Sequence, residues 1–217
     1  MNPLIPPGVY APQEDTSLLA AALSEEPLPR GAEVLDVGTG SGALALEAAR
    51  RGGRVTAVDV SWRAVCAAWV NARLSRLPVR IRRGDLFGPV RDQRFDLILA
   101  NPPYVPAPDG SVAPRGRARN WDGGRDGRLV VNRICREAPR LLRPGGVLLM
   151  VHSAVSDPDR SVAQLREAGL KAAVTRRSRI AFGPVLSARA EWLRRRGLLG
   201  PAEEKEELVV VRAELPD

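Results

Sequence analysis

Val34-Leu35-Asp36-Val37-Gly38-Thr39-Gly40-Ser41-Gly42 is the stretch on which the fold turns. Its first four residues make a short apolar strand. The glycines at 38, 40 and 42 let the backbone turn tightly and approach a ligand closely. An alanine-rich helical segment follows and ends near Gly52-Gly53. A second strand, Arg54 to Val58, runs into Asp59. Strand, glycine turn, helix, strand and acid in this order form the opening unit of a doubly wound sheet. The acid falls about 20 residues on, where a carboxylate accepts hydrogen bonds from ribose hydroxyls.

The alternation continues outward from this unit. Upstream, residues 1–13 are proline-rich and are expected to form an extended arm. Asp15 or Thr16 caps a helix through Leu18, Leu19 and Leu23. Downstream, Ser61 caps a helix in which Trp62, Val65, Cys66, Trp69 and Ala72 recur at helical spacing, a face expected to turn to the core. Val79 to Arg83 alternates apolar and basic residues, as a half-exposed third strand does. Phe95 to Ala100 is a fourth strand that runs directly into Asn101-Pro102-Pro103-Tyr104. Residues 105–128 read as loop. A helix follows, which Pro139 kinks or shortens. Val147 to Val151 is a fifth strand, Asp157-Pro158 opens another helix, and Gly169 stops it. Leu170 to Thr175 and Leu208 to Ala213 are the last strands.

The expected architecture is α/β: a doubly wound, mostly parallel seven-stranded sheet with helices on both faces, of Rossmann-like type, in one domain over residues 1–217. Residues 176–204 stand apart as a basic insertion before the last strand, with a helix over 187–196. In such sheets the ligand lies beyond the carboxyl ends of the strands, where strand order reverses. That places the glycine turn and the Asn101 turn together.

Composition narrows the chemistry. Cys66 and Cys135 are the only cysteines and His152 the only histidine. A disulfide framework, a cysteine-rich metal site, a zinc hydrolase and a Ser-His-Asp triad all lack their residues, so no metal is expected. No apolar run approaches the roughly 18 residues that span a bilayer, and the N-terminus lacks a signal-peptide layout, so a cytoplasmic protein without membrane contact is expected. The net charge of +8 suits a polyanionic partner such as RNA or an RNA-rich particle. A genome that prefers arginine codons explains the same composition equally well.

Gly38-x-Gly40-x-x-Ala43 also satisfies a dinucleotide fingerprint, so a nicotinamide enzyme competes. Two acids favour S-adenosylmethionine. Asp36, just before the turn, suits the cofactor's amino group and would repel a pyrophosphate. Asp85, after the third strand, is placed to accept from the adenine amine, although it serves equally as a turn cap before Leu86. At the other end of the site, the prolines of Asn101-Pro102-Pro103-Tyr104 fix the backbone and remove two amide donors. A planar NH2 group needs two acceptors and an aromatic face. The Asn101 side chain and Pro102 carbonyl supply the acceptors, and Tyr104 the face. Catalysis is then mainly positioning.

Together these residues resemble the release-factor glutamine methyltransferase (HemK-like) family, in its short archaeal and eukaryotic-type branch. The resemblance covers Val9–Leu19, residues 34–42, Asp59, Gly84–Phe87, Leu99–Pro106 and Asp122–Arg128. It implies S-adenosylmethionine contacts at Thr16, Asp36, Gly38, Asp59, Asp85, Leu86 and Asn101, beside the loop glycines Gly40 and Gly42. It implies a substrate glutamine amide held by Asn101, Pro102, Pro103 and Tyr104, and a translation release factor as the protein partner. The insertion is longer than the branch leads one to expect. Relatives pair with a small zinc-containing adaptor through the third, edge strand. Arg80, Arg82 and Arg83 there discourage strand addition, so an adaptor is not expected to be required.

Two other functions fit the same residues: methylation of an exocyclic base amine in RNA or DNA, and an RNA-binding module that keeps a vestigial cofactor pocket. The insertion has its own expectation. Arg176, Arg177, Arg179, Arg189, Arg194, Arg195 and Arg196 are opposed within 176–196 only by Glu191. A helical face bearing Arg189 and Arg196 is expected to dock RNA, the ribosome or an acidic protein surface, with Trp192 and Leu193 packed inward.

Overall fold

The structure, a computed structural model, describes residues 3–108 and 117–217. The first two residues of the arm and residues 109–116 of the loop lie outside the described residues. Seven strands form one sheet in the order β3-β2-β1-β4-β5-β7-β6. They are β1 (Glu33–Val37), β2 (Arg54–Asp59), β3 (Val79–Arg83), β4 (Phe95–Ala100), β5 (Leu142–Ser153), β6 (Lys171–Ala181) and β7 (Lys205–Glu214). The strands from β3 to β5 pair in parallel, and β7 runs antiparallel to both β5 and β6. This is the expected doubly wound sheet. Strand order reverses between β1 and β4, whose carboxyl ends open the crevice where such folds bind ligands.

The helices are α1 (Glu14–Glu25), α2 (Ala43–Arg50), α3 (Trp62–Leu74), α4 (Leu129–Glu137), α5 (Pro158–Glu167) and α6 (Pro184–Arg195). The central strands are buried on both faces, as covered parallel strands must be. One core joins α1 and α2 to β1, β4 and β5 through Leu19, Leu23, Ala45 and Leu99. The other joins α4 and α5 to the opposite face through Ile134, Leu165, Ile98 and Val211. Ser61 and Asp157 cap α3 and α5 as their positions suggest. Pro139 ends α4, and a short 3-10 turn replaces the next helical turn. Among the described residues no helix is long and apolar enough to cross a membrane.

Three local expectations are corrected. Asp15 and Thr16 lie inside α1 rather than capping it; Gln13 is the cap, which frees both side chains for the site. Helix α3 presents the face opposite to the one expected. Ala64, Ala67, Ala68, Asn71 and Ala72 are buried, whereas Trp62 and Trp69 are 58% and 53% exposed and Cys66 is exposed. The reason is clearance: a Cβ at Gly42 would lie only 3.2 Å from the Ala68 Cβ, so α3 crosses the glycine turn where only alanine fits. Finally, residues 176–181 of the insertion belong to β6, which pairs with β7 as far as Ala181↔Lys205.

Candidate active site

The glycine turn opens a cavity of about 370 Å³ at the strand-order reversal, within the range of about 300–1,000 Å³ usual for small-molecule sites. Gly38, Thr39, Gly40 and Ser41 form one wall and Asn101 to Tyr104 another. Gly38 and Gly40 hold φ of 76° and 56°, a conformation that turns the backbone across the strand ends. Asp36 and Asp59 brace this turn from behind. Asp36 is 1% exposed and accepts from the Thr39 hydroxyl at 2.5 Å and the Ala45 amide at 3.1 Å. Burial pushes its carboxyl up to about 6, against the pull of those two donors. Asp59 accepts from the amides of Gly40 at 3.0 Å and Ser61 at 2.8 Å. Burial raises its pKa as well, opposed by the same two amides.

Several expected cofactor residues therefore stand just outside the cavity wall. Asp36 and Asp59 shape the turn and do not line the cavity. Gly42 serves the packing of α3. Asp85 faces away, held by Arg133 of α4 through contacts of 2.7 and 3.2 Å. Leu86 takes a left-handed φ of 45° and packs against the core below α4. Thr16, Gly38, Gly40 and Asn101 do line the cavity.

At the acceptor end the structure brings together Asn101, Pro102, Pro103 and Tyr104, and it adds residues that sequence reasoning missed. The Asn101 amide nitrogen donates to the Thr16 hydroxyl at 3.3 Å, which leaves the side-chain carbonyl oxygen of this cavity-lining residue available as an acceptor. Asp15, 4% exposed, accepts at one oxygen from the hydroxyls of Tyr10 at 2.7 Å and Tyr104 at 3.2 Å. Burial and the Asp15 charge hold both phenols protonated, well above their ordinary range. Glu206 of β7 is 7% exposed, lines the same wall and has one oxygen without a partner. Burial raises its pKa, and the charge of Asp15 adds to the rise. One signal for Glu206 was present in the sequence: it shares a strand face with Leu208 and Val210, an acid at an inward position. For Asp15 there was none, because an acid in a first helical turn has an ordinary explanation.

Behind the acceptor turn lies the Asp122–Arg128 segment. A Cβ at Gly127 would collide with the Tyr104 carbonyl, so glycine is required there. That carbonyl also accepts from the Ser156 hydroxyl at 2.7 Å. Arg128, 1% exposed, donates to the carbonyls of Ser156 and Asp157 and to the Ser161 hydroxyl, tying the segment to the start of α5. His152 has no place in the site. It is fully buried between the Ser161 hydroxyl and the Ser153 carbonyl, and burial lowers its pKa to about 4.

The insertion closes the acceptor end. Val185 and Leu186 of α6 line the cavity, and Leu186, Ala190 and Leu193 pack with Val105 and Trp121. Arg189 is spent on this seam: its guanidinium lies 2.7 Å from the Asp122 carboxylate and donates to the Pro106 carbonyl at 2.9 Å. Arg176 pairs with Glu25, Arg177 and Arg179 with Glu207, and Arg195 with Glu191. Arg194 donates to the Glu203 carbonyl. The expected docking face of Arg189 and Arg196 is thus broken up, because α6 turns Arg189 inward and most of its neighbours find acids.

Comparison with known proteins agrees with this geometry. The family model of the methyltransferase small domain matches residues 5–113. A putative protein N5-glutamine methyltransferase of Methanocaldococcus jannaschii is 32% identical over 177 residues, covering 81% of this chain and 88% of that protein. The release factor glutamine methyltransferase of Geobacter sulfurreducens is 38% identical over 157 residues, 68% of this chain; the chain spans about half (54%) of that protein's length. Among solved structures, the Mtq2–Trm112 complex of E. cuniculi superposes with a TM-score of 0.66 at 24% identity, covering 96% of this chain and 99% of that one. That likeness carries the fold. The matched domain, the archaeal relative and the pairing of a glycine turn with the Asn101 turn place the chain in the methyltransferase small-domain family, among the glutamine methyltransferases.

Proposed function

We propose that this protein transfers a methyl group from S-adenosylmethionine to the side-chain amide nitrogen of a protein glutamine, in a translation release factor. The observation that carries the reading is the Asn101–Tyr104 turn, held by Thr16 and Asp15 at the rim of the cavity that the glycine turn opens. The cofactor fits this wall: Gly38 and Gly40 leave open backbone beside Thr16 and Leu44, and a Cβ at either glycine would meet nothing closer than 3.9 Å. When bound, S-adenosylmethionine supplies a methyl group on a cationic sulfur, a good leaving group.

The chain's own residues then position the acceptor. The Asn101 and Pro102 carbonyl oxygens accept the two hydrogens of the amide, and Tyr104 bounds its plane. The nitrogen lone pair is thereby aimed at the methyl carbon. This nitrogen would take up the methyl group of bound S-adenosylmethionine and release one proton to solvent water. Holding the reacting atoms in line supplies much of the acceleration. The named relatives act on protein glutamines, which supports the same acceptor here. So does local charge: Asp15 and Glu206 place two acids beside Tyr104, against one arginine, Arg119, in the cavity lining, and acids there disfavour the phosphates that flank a nucleobase. Asp59, beside the turn, is proposed to contact the ribose through a small movement of its side chain, and Asp85 to reach adenine only after it releases Arg133.

A labelled-methyl transfer assay tests the proposal by offering release factor, ribosomal RNA and DNA side by side. Label is expected on the release factor alone, and digestion should place it in one glutamine-containing peptide. Label on nucleic acid with none on protein would overturn the acceptor assignment. Tight NADH binding without S-adenosylmethionine binding would overturn the cofactor.

A further inference from the structure

A run of arginines without intervening acids lies on the flank opposite the insertion. Residues 62–83 contain six arginines and no aspartate or glutamate. None of the six forms an ion pair among the described residues, whereas Arg176, Arg177, Arg179, Arg189 and Arg195 of β6 and α6 do. This segment is α3, the connection after it and β3, and β3 is an edge strand with an open side. Arg80, Arg82 and Arg83 are exposed along that strand.

The solvent face of α3 adds aromatic rings to this charge. Trp62, Cys66, Trp69 and Arg73 follow one another at positions i, i+4, i+7 and i+11 and are all exposed. Arg63 stacks on Trp62 at 5.6 Å from the ring centre, and Arg73 on Trp69 at 5.3 Å. An exposed tryptophan keeps apolar surface in water at a cost, and two on one helical face form an apolar patch bordered by cations. The buried side of the same helix is filled by alanines, so neither ring is needed by the core.

We propose that the outer face of α3 and the open edge of β3 bind single-stranded RNA, with Trp62 and Trp69 stacking on bases and the arginines meeting phosphates. The charge decides the class of partner. A protein docking here would desolvate several guanidiniums and would have to bring a matching set of acids. A phosphate backbone brings one negative charge per nucleotide, and single strands leave their bases free to stack on aromatic side chains. The surface is distinct from the acidic acceptor wall. It would hold the enzyme on an RNA-rich particle while the cavity acts on protein, and it stands whether or not the glutamine reading does.

Fluorescence anisotropy of a labelled 12-nucleotide single-stranded RNA of mixed sequence, titrated with the full chain between low and moderate salt, tests this. Saturable binding is expected. Trp69→Ala and Trp62→Ala should each weaken it at least about fivefold, the lower end of what base–aromatic stacking contributes. Arg80→Gln with Arg82→Gln should lower the slope of log affinity against log salt by about 1.4, at roughly 0.7 per phosphate contact. Both tryptophans are exposed, so circular dichroism and melting should match the parent. Arg194→Ala, Arg195→Ala and Arg196→Ala together should leave RNA affinity within about twofold. Failure of the parent to bind at low salt would overturn the proposal. So would unchanged affinity in both tryptophan variants, or equal losses in the α6 triple variant.

Discussion

Asn101 shows how much of the site rests on single atoms. Its amide nitrogen is committed to the Thr16 hydroxyl at 3.3 Å, so the orientation of its carbonyl is fixed before any acceptor arrives. Asn101→Ala is expected to lower the single-turnover rate of methyl transfer by about 10²-fold or more, as misplacement of a reacting group does. Cofactor affinity by calorimetry should change little. Thr16→Val removes the orienting acceptor together with the hydroxyl's own bond to Asp15 at 3.2 Å, and should reduce turnover; Thr16→Ser should restore it. Asp36 offers a separate test through pH. Its carboxyl is raised from 3.8 to about 6 by burial, so the folded state holds the proton more tightly than the unfolded chain. Stability from this group is fully present below about pH 3.8 and is lost as pH rises to about 6. Asp36→Asn keeps an acceptor for Thr39 and Ala45 but cannot ionise. Relative to the parent, the variant is therefore expected to gain on the order of 2–3 kcal/mol between pH 4 and pH 7, at about 1.4 kcal/mol per pKa unit. Urea melts at the two pH values measure it, and a difference independent of pH would contradict the burial effect.

Helix α6 and helix α3 show how elements are assigned their faces. Hydrophobic spacing correctly predicts that Leu193 packs inward, and it is fully buried. The role of Arg189 depends on what α6 meets. Its ion pair with Asp122, at 2.7 Å and with side chains only 19% and 6% exposed, fastens α6 over the acceptor end. Arg189→Met is expected to destabilise the protein by roughly 2–4 kcal/mol, because Asp122 would be left buried without its partner. The Arg189→Met/Asp122→Asn pair should recover much of that loss in a double-mutant cycle on urea melts. Since Val185 and Leu186 line the cavity from the same helix, methyl transfer should fall with the single change. In α3, two stripes compete for the core: one of alanines and one of tryptophans and Cys66. Spacing identifies both as helical faces and cannot choose between them. The close approach of Gly42 and the packing of Val9 on Ala64 and Ala67 select the alanines, because no larger side chain fits the gap.

At the scale of the molecule, the arginine-rich segments differ in their partners. Acids gather at the acceptor wall, β6 and α6 pair their arginines with Glu25, Glu207, Asp122 and Glu191, and the α3–β3 flank keeps its positive charge. The open β3 edge carries arginines that resist addition of another strand. Expressed alone, the chain is therefore expected to be soluble and to melt cooperatively. Sizing and thermal melting check this, and insoluble protein rescued only by a co-expressed zinc adaptor would contradict it. The arm also behaves as part of the whole. The Leu4 amide and carbonyl bond to the Asn71 side chain at 2.7 and 2.9 Å, and Tyr10 reaches Asp15 beside the cavity.

Sequence by itself determined the order of strands and helices, the glycine turn between the first strand and its helix, and the placing of Asn101 to Tyr104 at the end of another strand. These follow from local causes: apolar periodicity, glycine and proline stereochemistry, and the rule that doubly wound sheets bind at strand-order reversals. Tertiary structure alone decided which face of α3 is buried, that Asp15 and Glu206 meet from opposite ends of the chain, and that Asp85 turns to Arg133. It also decided which arginines are neutralised. Each of these depends on a contact between residues far apart in sequence, where the available gap or the nearest opposite charge sets the outcome. Local pattern carries no record of either.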